Sequence, residues 1–288
     1  MSAGAGTGER RLGPPIAGPT ALGDDPRRLW NLAGTLALSD FKLRFFGSAL
    51  GYFWQLLRPL MIFGVLYVVF TQIIRIGGAV ELYPVALLLG VVFFTFFSEA
   101  TGSAVTSLVD REALIRKVAF PRLAVPLASV LTALMNVVLN LAAVVVFLLI
   151  AGGVVRASWL QLPFLVAALA LLAAGVGMLL SALYVRYRDV KPIWEVALQL
   201  LFYGSPIFYP IDAVMERSEL AAKLLMLNPF AAILQQARHA LIAPSHPSAA
   251  DVLGGPAWVL APAAIGLGLV VLGYTVFSRR APSVAELL

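Results

Sequence analysis

The sequence predicts an all-α protein that crosses a membrane several times. Hydrophobic residues make up 60% of the 288 residues and charged residues only 12%, whereas charged residues approach a quarter of an ordinary soluble domain. The apolar residues are gathered in stretches long enough to cross a hydrocarbon core of about 30 Å, and most Lys and Arg residues lie between these stretches. The chain has no cysteine, which excludes disulfides, iron–sulfur clusters and thiolate zinc sites.

Two segments precede the first apolar stretch. Residues 1–26 are rich in Gly, Ala and Pro, which predicts a disordered N-terminal tail. From 27 to 46, apolar residues at helical spacing alternate with charged ones, and this pattern predicts an amphipathic helix that lies along the membrane surface. A short soluble helix before the first span is the alternative interpretation.

Six stretches are predicted to be membrane spans. They cover about residues 52–74, 83–106, 123–151, 157–185, 192–210 and 256–278. Residues 47–280 therefore form one transmembrane domain, followed by a C-terminal tail at 281–288. If both termini and the loops at 110–122 and 186–191 share one side, that side holds 16 Lys and Arg residues, with Arg58 included, against 5 on the other. The positive-inside bias then places both termini in the cytoplasm.

The fifth span is interrupted. Pro192 suits a first helical position, and the helix must kink or stop at Gly204-Ser205-Pro206 because Pro206 lacks an N–H and clashes with the preceding turn. The 14 residues from Pro192 to Ser205 would reach only about 21 Å. We therefore expect a broken helix at membrane depth whose freed polar groups are covered by protein or face a water-filled cavity. Such helices are typical of transport routes.

The segment at 211–251 is too charged to cross a membrane, yet it is apolar in patches. Asn228-Pro229 divides it into two short helices, at about 213–227 and 229–242. We expect both helices to be re-entrant and to dip into the outer leaflet.

The sequence contains no ATP-binding loop. A phosphate-binding loop of the form G-x-x-x-x-G-K-[ST] needs a Gly before its Lys, and none of the four Lys residues follows a Gly. Any work driven by a nucleotide must therefore come from another chain. No convergent acid, base and nucleophile occurs either, so we expect this chain to be neither an enzyme nor a cofactor-binding protein. A membrane-embedded glycosyltransferase is disfavoured because paired acidic residues at a membrane face are lacking.

The loop after the second span predicts a short helix that suits docking into a partner's groove. Asp110 is placed to cap this helix, and Leu114 and Ile115 lie on its apolar face. The candidate contacts to a partner ATPase are Asp110, Arg111, Glu112, Leu114, Ile115, Arg116 and Lys117, together with Arg186, Arg188 and Asp189 of the next loop. A solvated connection is the alternative interpretation of both loops.

Aromatic residues of the first and fifth spans are candidates for the wall of a passage. Sugar rings present apolar C–H faces that stack on aromatic rings, and Tyr hydroxyls add hydrogen bonds, so such a wall suits a sliding polysaccharide. The candidate lining residues are Phe63, Tyr67, Phe70, Phe202, Tyr203, Ser205, Pro206, Phe208 and Tyr209. The alternative is that these rings face lipid or pack in the core, which we favour for the aromatics of the second span.

Glu99 is the one charged residue of the second span. A buried acid costs about 2.5–3.5 kcal/mol on insertion scales unless it is paired or near water. We expect Glu99 to be either one half of a structural ion pair, with Arg58 or Arg122 as its partner, or an acid at the membrane interface. The alternative is that it carries protons in a secondary transporter, which is disfavoured because such carriers usually show more intramembrane ionisable groups.

Three separated motifs resemble ABC-2-type exporter permeases for polysaccharides and polyol phosphates. The likeness covers about residues 28–280. The motifs are Asp40-x-Lys42-x-Arg44 with Ser48-Ala49-Leu50-Gly51, Trp54 and Pro59; Tyr187-Arg188-Asp189-Val190; and Ser205-Pro206-Ile207-x-Tyr209-Pro210 with Asn228-Pro229 and Arg238.

This resemblance implies a homodimer of six-span subunits in a bacterial cytoplasmic membrane. Each subunit would pair with a separate ATPase subunit that binds ATP and Mg, and the first and fifth spans of both copies would line the channel. The segments 27–44, 110–120 and 213–242 would be the interfacial helix, the coupling helix and the re-entrant helices. The implied function is export of a lipid-linked polysaccharide such as an O-antigen or a galactan, with teichoic acid export as the alternative. Topology explains the net charge of +6, so nucleic acid is not an expected partner.

Overall fold

The computed structural model describes residues 21–22, 25–45, 53–74, 81–118 and 120–284, and all regular elements in these ranges are helices. The α-helices are α1 (Pro26–Phe45), α2 (Phe53–Tyr67), α3 (Tyr83–Asp110), α4 (Glu112–Lys117), α5 (Ala124–Ile150), α6 (Leu162–Tyr184), α7 (Val190–Gly204), α8 (Ile211–Arg217), α9 (Glu219–Met226), α10 (Pro229–Leu241), α11 (Ala249–Leu253) and α12 (Leu260–Arg280). A π-helical stretch (Val68–Ile73) continues α2, and 3₁₀ turns precede α6 (Ala157–Gln161), precede α12 (Pro256–Val259) and follow it (Ala281–Ser283).

Five helices in the described part are long and apolar enough to cross a membrane. They are Phe53–Ile73, Tyr83–Asp110, Ala124–Ile150, Ala157–Tyr184 and Pro256–Arg280, which correspond to predicted spans one to four and six. The predicted fifth span is α7. It has 15 residues and is therefore about 22 Å long, as short as the sequence suggests.

Helix α3 is the centre of the bundle. It packs against α2, α5, α6 and α7, and its Phe93 and Phe96 are fully buried. Helices α6 and α12 cross so closely that a Cβ atom on Gly273 would lie 2.0 Å from the backbone oxygen of Gly175. Small residues let membrane helices approach to backbone contact in this way.

Helix α1 lies against α5 of the same chain. Its buried stripe is Leu29, Ala33 and Ala37, at the i, i+4, i+8 spacing of one helical face. The hydroxyl of Thr132 donates to the Ala37 carbonyl at 3.3 Å. The predicted helix is therefore confirmed for residues 26–45, while its position on a membrane surface stays a prediction.

Several boundaries differ from those predicted. The first of the two predicted re-entrant helices is broken at Ser218 into α8 and α9, because the Ser218 hydroxyl caps the new helix. The division at Asn228-Pro229 is confirmed, and Asn228 caps α10. The prediction missed α11, although Ser248-x-x-Asp251 has the signature of a capping box.

The described residues of both predicted tails are packed against the helices. Ala281 and Val284 are buried, and the Arg122 guanidinium donates to the Ala281 carbonyl, so residues 281–284 belong to the packed domain. At the other end, the Leu123 N–H donates to the Ala21 carbonyl at 3.1 Å. The predictions for residues 1–20 and 285–288 fall outside the described residues, as does the Ser48-Ala49-Leu50-Gly51 motif.

Candidate functional site

Helix α7 stops where the sequence predicts an interruption. It ends at Gly204, and Ser205 is extended, with φ −113° and ψ 150°. It starts at Val190, so Pro192 is the third helical residue instead of the predicted first. Near its start, the Trp194 indole N–H donates to the Thr101 hydroxyl of α3 at 3.0 Å. The short helix is thus fixed to the central helix before it reaches the break.

The interruption after Gly204, which we call the break, leaves backbone carbonyls without helical hydrogen bonds. Arg238 of α10 donates hydrogen bonds to these carbonyls. Its guanidinium donates to the Ile207 carbonyl at 2.7 Å and to the Pro206 carbonyl. It also donates to the Ala86 carbonyl of α3 at 3.2 Å, and the residue is only 4% exposed. One planar fork of donors therefore joins the break, α3 and α10, which confirms that protein covers the interrupted backbone.

Two further bonds hold the break in place. The Asn228 amide donates to the Ser205 hydroxyl at 3.2 Å, and the Tyr83 hydroxyl donates to the Phe208 carbonyl. Ser205 and Pro206 are consequently buried. Their polar groups are thus satisfied inside this single chain, and their place in a passage stays a prediction.

The structure gathers most of the predicted aromatic residues into one cluster. Phe208 lies at its centre, with ring centroids 4.9 Å from Phe70, 5.8 Å from Phe202, 6.0 Å from Tyr203 and 5.1 Å from Tyr209. This aromatic cluster joins the π-helical end of the first span to the break. Tyr203 is 67% exposed, so the cluster keeps an accessible face.

Two predicted aromatic residues lie elsewhere. Phe63 is buried, with its ring 5.8 Å from Tyr67 and 6.0 Å from Phe147 of α5. Phe63 therefore packs α2 onto α5 within this chain, and its place in a passage stays a prediction. Tyr67 is half-buried beside it.

A groove of about 830 Å³ lies between α2, α3 and α7, next to the aromatic cluster. One wall carries the aromatic rings of Phe94 and Phe202, whose centroids are 4.8 Å apart. The polar and charged residues that line the groove are Arg44, Gln55, Arg58, Thr95, Ser98, Glu99, Ser103, Gln199 and Tyr203. The groove therefore combines aromatic surface with hydrogen-bonding groups, and it is only partly enclosed by this chain.

Glu99 is held by partners that the sequence did not indicate. Its carboxylate forms an ion pair with Arg44 of α1 and accepts a 2.8 Å hydrogen bond from the Asn136 amide of α5. The expected structural ion pair is present, but its partner is Arg44 and not Arg58 or Arg122. The end of α1 lies close enough to α3 for the Arg44 side chain to reach Glu99, and no local sequence pattern predicts this contact.

The short helix α4 turns its apolar face inward. Ile115 is buried and Leu114 partly buried, in a cluster that includes Leu29 of α1 and Leu108 of α3. Val118, by contrast, is 49% exposed. The apolar side chains predicted for partner docking are thus mostly used by the chain itself.

The charged residues around α4 have definite partners. Asp110 is the last residue of α3 and accepts from the Thr106 hydroxyl at 2.7 Å, so the prediction that it caps α4 is wrong. Arg111 precedes α4 and forms an ion pair with Asp40 of α1. On the exposed side, Arg116 pairs with Glu112 at 2.9 Å, and Lys117 is exposed next to them.

The second predicted contact loop lies at the same end of the bundle. Arg186, Arg188 and Asp189 are all exposed, and the Arg188 guanidinium lies 5.0 Å from the centre of the Tyr184 ring. A single apolar cluster contains residues from the ends of α3, α6 and α12, together with α4 and the start of α1. Both loops and both described chain ends therefore share one end of the bundle, as the charge distribution suggests.

Sequence reasoning missed Gln55 and Gln199 as groove residues. A signal was present in α7, where Lys191, Glu195, Gln199 and Tyr203 recur every four residues and so mark one polar helical face. All four are exposed. This stripe runs along the short helix toward the aromatic cluster.

Comparison with known proteins agrees with this architecture. Residues 32–242, from α1 through α10, match the family model described as ABC-2 type transporter. The chain is 26% identical over 207 residues to O-antigen export system permease protein RfbA of Klebsiella pneumoniae, covering 72% of this chain and 78% of that protein. It is 27% identical over 216 residues to RfbA of Myxococcus xanthus, with 72% and 80% covered.

A further relative is Polysialic acid transport protein KpsM of Escherichia coli, 24% identical over 212 residues, which cover 72% of this chain and 80% of that one. The stretch that matches the family model contains the break in α7, its cap Arg238 and every residue of the groove. Since that model matches well over half of the chain, the chain belongs to the ABC-2 type transporter family.

Proposed function

We propose that this chain is the transmembrane subunit of an exporter that moves a lipid-linked polysaccharide out of a bacterial cytoplasm. ATP would be hydrolysed by a separate nucleotide-binding subunit. The observation that carries the proposal is the groove between α2, α3 and α7, with the aromatic cluster at the broken end of α7. The similar proteins are named for O-antigen export and polysialic acid transport, which favours a sugar polymer over a polyol phosphate.

The groove has the surface chemistry that a hydroxylated polymer needs. Hydrocarbon offers no partner for sugar hydroxyls, and each unsatisfied polar group there costs several kcal/mol. Gln55, Gln199 and the Tyr203 hydroxyl supply hydrogen-bonding groups, while the aromatic rings accept the C–H faces of sugars. A flexible chain could slide along such a wall without being held at one place.

A second copy of the chain would close the groove into a conduit. Helix α7 has no buried residue, and Ile193, Val196 and Leu200 on it are more than half exposed. Met61 and Val65 of α2 are likewise more than half exposed. Pairing these two helices across a two-fold axis would cover the apolar side chains and enclose the polar stripe of α7.

Two ion pairs would link the end of the bundle where we propose that an ATPase docks to the groove. Arg111, next to α4, is bound to Asp40 of α1, and Arg44 at the end of α1 is bound to Glu99 in the groove wall. A displacement of α4 by a partner would therefore be transmitted through α1 to the groove. Because the Glu99 carboxylate already forms an ion pair with Arg44, this arrangement also disfavours Glu99 as a proton carrier.

The proposal is tested by export assays on the chain reconstituted with its partner ATPase in proteoliposomes. We expect Tyr203→Ala to lower polymer export about tenfold, equivalent to roughly 1.4 kcal/mol, without changing insertion or assembly. Phe164→Ala is a matched control, because Phe164 is 76% exposed but lies outside the groove. Equal polymer export by both variants would show that the groove is not part of the transport path.

A further inference from the structure

We propose that the groove holds a binding site for a lipid phosphate, with Arg58 as its principal cation. The inference rests on the proposed export function and adds the chemical class of the group that is bound. It starts from the charges in the groove, which do not balance.

Two guanidinium groups and one carboxylate line the groove. Arg44 and Glu99 are paired with each other. Arg58 has no hydrogen bond or ion pair to any described residue, and the connecting segment 46–52 contains no acidic residue. The groove therefore carries one positive charge in excess, on a side chain with five donors available for an anion.

Neutral donors are placed around Arg58. Gln55 lies three residues earlier on the same face of α2, and Gln199 faces the groove from α7. Neither glutamine has a hydrogen-bond partner among the described residues. A phosphate has several acceptor oxygens, and Arg binds such groups with two parallel hydrogen bonds, so these three side chains form a suitable donor set.

The position of the site favours a phosphate that is attached to a lipid. Arg58 lies in the second turn of α2, where a long side chain can reach the headgroup level of a membrane. The surfaces next to the groove are apolar, with Met61 of α2 and Leu200 of α7 both exposed. The phosphate could thus sit in the groove while its hydrocarbon chain stays in the bilayer.

Two sources could supply this chemistry: the lipid carrier of the exported polymer and the phospholipids of the bilayer. The full-length protein in phosphatidylcholine nanodiscs is titrated in separate arms with a polyprenyl phosphate, with phosphatidylglycerol and with inorganic phosphate. Native mass spectrometry counts the bound molecules. We expect saturable binding of the polyprenyl phosphate, which Arg58→Gln weakens about tenfold or more and Arg58→Lys weakens less.

Two further variants sharpen this test. Glu99→Gln frees the charge of Arg44 and is expected to tighten binding, opposite in sign to Arg58→Gln. Arg28→Gln removes an exposed arginine of α1 outside the groove and is expected to leave binding unchanged.

Binding confined to polyprenyl phosphate would uphold the site and assign it to the carrier lipid, whereas equal binding of phosphatidylglycerol would uphold it as a site for bilayer lipid. Binding that Arg58→Gln does not weaken, or that occurs only with inorganic phosphate, would overturn the inference. The export proposal would survive that result as long as Tyr203→Ala still lowers export.

Discussion

The guanidinium of Arg238 donates a 2.7 Å hydrogen bond to the carbonyl of Ile207, three residues beyond the end of α7. An arginine that is 4% exposed and faces backbone carbonyls acts here as a cap for an interrupted helix. The break is consequently a fixed feature, since α3, α7 and α10 all meet at this one side chain.

Arg238→Met is expected to destabilise the chain by about 3 kcal/mol or more, because it leaves buried carbonyls without donors. Arg238→Lys should recover part of the loss, since an ammonium group keeps the charge but not the planar fork. Thermal unfolding followed by fluorescence size-exclusion chromatography measures both. The control is Arg217→Met, at an exposed position. Equal melting temperatures for the Arg238→Met and Arg217→Met variants would show that the cap contributes nothing.

Gly273→Ala should force α6 and α12 apart. The added Cβ would lie 2.0 Å from the Gly175 carbonyl oxygen, and overpacking of this kind costs about 1–3 kcal/mol or more. Gly268→Ala on the same helix is the matched control, because no atom lies within 4 Å of its added Cβ. A Gly273→Ala variant as stable as the Gly268→Ala variant would contradict the backbone contact between the two helices.

The exposed side of α4 is where a partner ATPase is expected to dock. The double variant Arg116→Glu, Lys117→Glu should abolish polymer-stimulated ATP hydrolysis in the reconstituted complex while leaving the fold intact, because the ion pair it breaks is exposed and contributes little. Ile115→Asp should instead lower folded yield, since Ile115 is buried. Full polymer-stimulated ATP hydrolysis in the double variant would show that the partner ATPase does not dock on the exposed side of α4.

Stability should depend on pH through His246, which lies between α10 and α11. Burial lowers the pKa of His246 below its ordinary value, so the unfolded chain binds a proton more readily than the folded one. As the pH falls through about 6.5, the melting temperature should therefore fall. His246→Gln should flatten this part of the profile, because Gln can still donate to the Glu81 carbonyl that contacts the His246 ring at 2.9 Å but cannot titrate. An unchanged profile would rule out His246 as the source.

Local rules predicted the elements better than their contacts. Pro206 by itself indicates where α7 must stop, and Asn228-Pro229 indicates where α10 begins, because both effects act within one helical turn. The partner of Glu99 is Arg44, 55 residues away, and no periodicity encodes such a distance.

The amphipathic pattern of α4 was equally ambiguous. The pattern correctly places Ile115 on the apolar face of the helix. An apolar face, however, does not indicate whether the helix packs on its own chain or on a partner. The sequence is equally uninformative about which charges are paired. Only the folded groove reveals that Arg58 has no counter-ion among the described residues.

The central claim is that the polymer passes along the groove at the exposed face of the aromatic cluster. The most direct measurement is photo-crosslinking from p-benzoylphenylalanine placed at Tyr203, with Phe164 as the control position, in the complete exporter during transport. The account predicts glycan cross-links at position 203 that require ATP hydrolysis, and none at position 164. Cross-links of equal yield at both positions, or none at position 203 while export proceeds, would contradict it.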